Sequence, residues 1–134
     1  MVDQPVNQGI ASQERENPQK RRSGLYGLSA IALALSNSRN EEYLDKLLVP
    51  VINSFEDKDS KVLLAACDSM FNIVRNYTDS ILLNKNFLKI FNKVIFLISS
   101  SHNSDVKDYS KKVDDMLKDV VYRSLDLGMR FDLD

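Results

Sequence analysis

Two polar stretches, Phe55-Glu56-Asp57-Lys58-Asp59-Ser60-Lys61-Val62 and Ser99-Ser100-Ser101-His102-Asn103-Ser104-Asp105-Val106, stand 44 residues apart. Each separates one apolar helical pattern from the next. The same shift lays Tyr43 on Phe87, Ala66 on Ser110 and Ile73 on Leu117. A unit of about 40–47 residues holding two helices is the period of a stacked helical repeat, in which neighbouring copies bury each other's apolar faces.

Working outward from these turns, the spacing of apolar residues predicts five helices and no competing strand alternation. Asn17-Pro18 supplies an N-cap and a first-position proline. The first helix then covers 19–35, with Leu25, Leu28, Ala32 and Leu35 on its inner face. Gly24 and Gly27 cost helix propensity there and are read as permitting close approach of a neighbouring helix. Ser38 with Glu41 has the capping-box pattern. The second helix carries Tyr43, Leu44, Leu47, Leu48, Val51, Ile52 and Phe55 inward, with a kink expected at Pro50. Asp59 is placed to cap the third helix, about 60–77, whose inward residues are Val62, Ala65, Ala66, Met70, Ile73, Val74 and Tyr77. The fourth begins near Asn84 with Phe87, Leu88, Phe91, Val94, Ile95 and Ile98 inward. The fifth buries Val106, Tyr109, Val113, Met116, Leu117, Val120 and Val121. Residues 1–16 read as a flexible arm, 17–122 as the repeat array, and 123–134 as a short tail that breaks at Gly128.

The architecture expected is therefore all-α: an antiparallel stack of helical hairpins of the HEAT/armadillo type. It holds about two and a half repeats, because the first helix is the second half of a unit whose first half is missing. Pro50 and the Asp59-x-x-Val62 opening both suit HEAT repeats. So short an array should leave apolar surface at one or both ends, to be closed by self-association or by a partner.

Composition narrows the function classes. With 18 Lys+Arg against 19 Asp+Glu the net charge is -1, so no global field draws the chain to nucleic acid. Cys67 is the only cysteine, so no intrachain disulfide can form, which suits a reducing compartment such as the cytosol. Lys20-Arg21-Arg22 ahead of an apolar run imitates a secretory leader, and Asn76-Tyr77-Thr78 is a glycosylation sequon. Asp3, Glu14 and Glu16 in the would-be leader argue against secretion.

A lone His102 and a lone Cys67, far apart, do not make a zinc set, and no glycine-rich phosphate loop is present. Cys67 is read as a small buried hydrophobe and His102 as part of a solvated turn. The pairs Asp57/Asp59 and Asp114/Asp115 are assigned to capping and solvated faces. Phe55, Phe71, Phe87, Phe91 and Phe96 are assigned to the core. No enzymatic activity and no cofactor is expected. Lys20-Arg21-Arg22 opposes the helix dipole and so is a candidate anionic docking point. With the turn residues Asp57, Asp59 and Lys61 it makes up the candidate partner-contact set. Arg21→Glu is expected to alter partner binding and leave melting almost unchanged.

Longer strings carry a more specific likeness. Lys20-Arg21-Arg22-Ser23-Gly24-Leu25-Tyr26-Gly27-Leu28, Tyr43-Leu44-Asp45-Lys46-Leu47-Leu48-Val49-Pro50-Val51 and Ala66-Cys67-Asp68-Ser69-Met70-Phe71-Asn72-Ile73-Val74 resemble elements near the start of the ArPIKfyve (Vac-fourteen) family of HEAT scaffolds. So does Asp115-Met116-Leu117-Lys118-Asp119-Val120-Val121, and Phe131-Asp132-Leu133 is similar to a short motif beyond it. The chain departs from that pattern at Leu63-Leu64-Ala65 and at Ser101-His102-Asn103. The resemblance implies a non-catalytic scaffold for a phosphoinositide kinase and a Sac-type lipid phosphatase of phosphatidylinositol 3,5-bisphosphate metabolism. It also implies a cytoplasmic protein held peripherally on endosomal and vacuolar membranes through its partners, its N-terminal HEAT region on the kinase side. The other reading is an unrelated HEAT/armadillo adaptor of trafficking or nuclear transport.

Overall fold

The computed structural model describes residues 17–34 and 41–133. The expected arm at 1–16, Leu35 and the Ser38 half of the capping box lie outside them. Within them the chain forms α1 (Pro18–Ala34), α2 (Glu41–Ser54), α3 (Ser60–Asn76), a single turn α4 (Thr78–Ile81), α5 (Phe87–Ser100) and α6 (Ser104–Leu133), with no strand. Asn17 starts α1 as its side chain suggests, Oδ1 accepting the Lys20 amide at 3.1 Å. α2 continues through Pro50.

The helices lie in two layers. α3 occupies the centre of one layer, with α1 on one side and α6 on the other, while α2 and α5 form the second layer. α2 with α3 and α5 with α6 are the two complete hairpins, and α1 is the half repeat. This is the all-α, HEAT-like antiparallel stack that the period implies. Packing on three helices explains the sequence of α3. Val62, Leu63, Ala65, Ala66, Cys67, Ser69, Met70, Ile73 and Val74 are all buried, more than one amphipathic stripe could supply. Its small residues take small polar partners at both interfaces. Ser69 Oγ donates to the Leu25 carbonyl and receives from Ser29 Oγ, each at 2.9 Å, and Cys67 Sγ lies 3.6 Å from Ser110 Oγ.

The 44-residue period extends to hydrogen bonds. Asp57 Oδ1 accepts the Asp59 amide at 2.9 Å, and Asp59 Oδ1 accepts the Val62 amide at 3.1 Å. In the second copy Ser101 Oγ accepts the Asn103 amide at 3.2 Å, and Asn103 Oδ1 accepts the Val106 amide at 3.1 Å. Both turns thus solve the orphan-amide problem of a helix start in the same way.

In the first helices of the two hairpins the match shifts by one residue. Leu44, Leu47, Leu48 and Val51 are buried in α2, and the inward residues of α5 are Phe87, Ile90, Phe91 and Val94, each 43 positions on. Tyr43 is 45% exposed whereas Phe87 is 7% exposed, so the Tyr43–Phe87 equivalence is corrected to Leu44–Phe87. One residue in a helix is a rotation of about 100°. Accordingly Leu88 (72% exposed) and Ile95 face outward instead of inward, and Ile90 and Leu97 take the core positions. Phe96 also leaves the core, while Phe55 and Phe87 are buried and Phe71 and Phe91 pack against it.

Three further expectations are revised. A β-carbon on Gly24 or Gly27 would meet no atom within 4 Å, so neither glycine serves helix contact among the described residues. Asp115 is exposed, but Asp114 is buried and holds Lys118 Nζ at 2.8 Å. The last helix does not break at Gly128; it runs to Leu133.

Candidate functional site

The basic start of α1 and the turn between α2 and α3 meet in space. Arg21 donates through Nε to Asp57 Oδ2 at 2.7 Å and through Nη2 to Asp57 Oδ1 at 3.1 Å. This two-pronged geometry matches a planar guanidinium to a planar carboxylate, and it is stronger than a single contact. Asp57 also holds the Asp59 amide, and Asp59 caps α3 through the amides of Lys61 at 2.9 Å and Val62 at 3.1 Å. A polar strap therefore runs from α1 through the turn into the central helix.

The candidate contact residues divide into two groups along this strap. Arg21 and Asp57 are only 17% and 13% exposed and are committed to each other, while Asp59 is committed to the cap. Lys20 and Lys61 are exposed. Arg22 is half-buried, with Nε enclosed and unpaired. Arg21 is thus first a fold residue, and the expectation that Arg21→Glu leaves melting unchanged conflicts with this geometry.

Asp57 separates two grooves. The smaller, about 530 Å³, lies between α1 and α2 and is lined by Arg21, Leu25, Leu28, Pro50 and Asn53 among others. The larger, about 820 Å³, lies between the α2–α3 turn and α5. Phe55, Leu63, Phe96 and Leu97 give it an apolar floor, and Lys89 and Lys93 stand on the α5 side. Lys93 is paired with Glu56 across the groove, which lowers the Glu56 carboxyl below its usual range through the hydrogen bond and the charge. The sequence hides this groove, because Phe96 follows the unbroken apolar run Val94-Ile95 and so reads as a core residue. A signal was present: no Asp or Glu occurs between Asp79 and Asp105, while Lys85, Lys89 and Lys93 recur every fourth residue.

Reactive side chains lie elsewhere. Burial pushes the Cys67 thiol up to about 11, partly offset by its hydrogen bond with Ser110, so at neutral pH it is an uncharged packing group. The Tyr109 hydroxyl is raised by burial and by donation to Asp68, a contact that ties α6 to α3. His102 is exposed in the α5–α6 turn. Among the described residues no three His, Cys, Asp or Glu side chains converge to hold a metal, and no helix is long and apolar enough to cross a membrane. What the site offers is shape and charge for binding.

Comparison with known proteins gives these surfaces a context. The "Protein VAC14 homolog" of Arabidopsis thaliana is 33% identical over 107 residues, 78% of this chain. The protein of the same name from Schizosaccharomyces pombe is 31% identical over 121 residues, 90% of this chain. The "Vacuole morphology and inheritance protein 14" of Saccharomyces cerevisiae is 35% identical over 104 residues, 78% of this chain. The chain spans only 12–14% of the length of these relatives. No solved structure matches it significantly. The family profile described as the Vacuolar 14 Fab1-binding region matches residues 19–119, from the first turn of α1 to the middle of α6. The chain therefore belongs to the family of Vacuolar 14 Fab1-binding regions.

Proposed function

We propose that this chain is a non-catalytic scaffold module that binds a Fab1-type phosphoinositide kinase through the turn side of its helical stack. The observation that carries the reading is that the Fab1-binding profile and the packed array coincide: residues 19–119 hold both hairpins and the half repeat. A binding function of this kind needs a stiff frame with side chains fixed at its turns, and the Arg21–Asp57–Asp59 strap supplies one. Lys20, Arg22 and Lys61 are then contact residues, and Arg21, Asp57 and Asp59 hold them in place. The finer setting follows the resemblance: a kinase and phosphatase assembly of phosphatidylinositol 3,5-bisphosphate metabolism, peripheral on vacuolar and endosomal membranes through its partners. Family membership leaves no support for the unrelated adaptor reading.

Gentle-lysis co-purification with the Fab1-type kinase tests it. The kinase should be recovered with the tagged chain and not with a tagged, folded HEAT control. Its absence from the tagged chain would remove the reading.

A further inference from the structure

We propose that the 820 Å³ groove between α5 and the α2–α3 turn takes an acidic segment of the partner, with one apolar side chain inserted beside Phe96 and a carboxylate set on Lys89. This rests on the kinase-binding reading and assigns it a surface that the basic start of α1 does not supply.

Four observations converge on the groove. Phe96 is 64% exposed on a helix whose core positions are already filled by Ile90, Val94 and Leu97, so it is not a misplaced core residue. Its neighbours on the same face, by the three- and four-residue spacing of a helix, are Lys89, Asn92, Lys93 and Ser100. Lys93 is neutralised by Glu56, whereas Lys89 is exposed and has no ion pair among the described residues. Lys85, in the turn just ahead of α5, lies 3.7 Å from Asp45 and stays largely exposed, and no Asp or Glu occurs between Asp79 and Asp105 to offset Lys89 from within α5.

Charge decides between occupants. A second copy of this chain would bring the same face, on which Glu56 is already paired with Lys93 and Asp57 with Arg21, so it offers no free carboxylate to Lys89. An anionic bilayer suits lysines beside a phenylalanine. Its flat surface, however, would leave the concave groove floor of Phe55 and Leu63 untouched. An acidic protein segment satisfies both features: its apolar side chain fills the concavity, and a carboxylate meets Lys89, the lining cation without an ion pair among the described residues.

The test titrates the purified chain with the purified Fab1-type kinase, using wild type, Phe96→Asp, Lys89→Glu and, as a control on another exposed apolar residue, Leu83→Asp. Both groove variants should weaken binding by about tenfold or more, the range of a central contact residue, with unchanged melting curves. Leu83→Asp should bind like wild type. If wild type binds and both groove variants bind within about twofold of it, the groove inference fails while the kinase reading stands. If wild type does not bind, both fall. Flotation with vesicles containing anionic lipid, lost in the same two variants while kinase binding is kept, would overturn the proposal in favour of the membrane.

Discussion

Asp57 serves two structures at once, orienting Arg21 from α1 and holding the amide that sets up the Asp59 cap. Because both side chains of the pair are largely withdrawn from water, removing one leaves the other charge enclosed and uncompensated. A double-mutant cycle on Arg21→Ala and Asp57→Ala should therefore give a coupling of roughly 1–3 kcal/mol by denaturant titration. Arg21→Glu, which sets two carboxylates together, should lower the melting temperature. Additive single effects would show the pair to be a surface contact. Cys67 gives a prediction in pH. Its folded-state value of about 11 lies above the 9.0 of an unperturbed thiol, so the unfolded chain releases the proton first. The Cys67 contribution is fully present below pH 9 and is lost as pH rises toward 11. The total is roughly 2–3 kcal/mol at about 1.4 kcal/mol per unit. Cys67→Ala should flatten the fall in stability between pH 9 and 10, before the raised Tyr109 hydroxyl adds to it; parallel curves for the two proteins would refute the assignment.

The starts of α1 and α3 and the main inward residues of α1, α3 and α6 were legible in the sequence, because caps and apolar spacing agreed there; the single turn α4, the start of α5 at Phe87 and the run of α6 to Leu133 were not. Asp59 and Asn103 occupy equivalent caps, so Asp59→Ala and Asn103→Ala should each cost about 1 kcal/mol in thermal denaturation. A cost at only one of them would mean that the turns are not true copies. The face of α5 was not legible. Phe87, Leu88, Ile90, Phe91, Val94, Ile95, Phe96, Leu97 and Ile98 are apolar nearly all round, so periodicity could not say which of them the neighbours would bury. Aligning the copies at 44 residues then carried the register of the second helices into the first, where the packing follows 43. This rotation is what hid Phe96 and the groove. Gly24 and Gly27 misled for another reason, since a glycine in a helix does not show whether its open side faces a neighbour or water. Because both face open space within mid-α1, Gly24→Ala and Gly27→Ala should each stabilise the chain by about 0.5–1 kcal/mol. Destabilisation in a melting experiment would place an unseen element against α1.

At the scale of the whole molecule, the described residues leave apolar surface on the two outermost helices. Tyr26, Ile31 and Leu33 on α1, and Tyr122 and Leu125 on α6, are exposed apolar residues on the first and last helices. Self-association through these ends remains a proposal alongside partner binding, with the oligomeric state of the purified chain as its readout. The basic cluster at the start of α1 is legible in the sequence, but its central arginine is committed to the fold, and the larger groove lies farther along the chain, around Lys89–Phe96. If the proposed function holds, this packed array is by itself a kinase-binding module. The most direct test is calorimetric titration of the isolated, folded chain into purified Fab1-type kinase. A saturable complex that weakens as salt is raised is expected, because lysines contribute to the contact. A folded chain that produces no binding heat and does not co-elute with the kinase would contradict it.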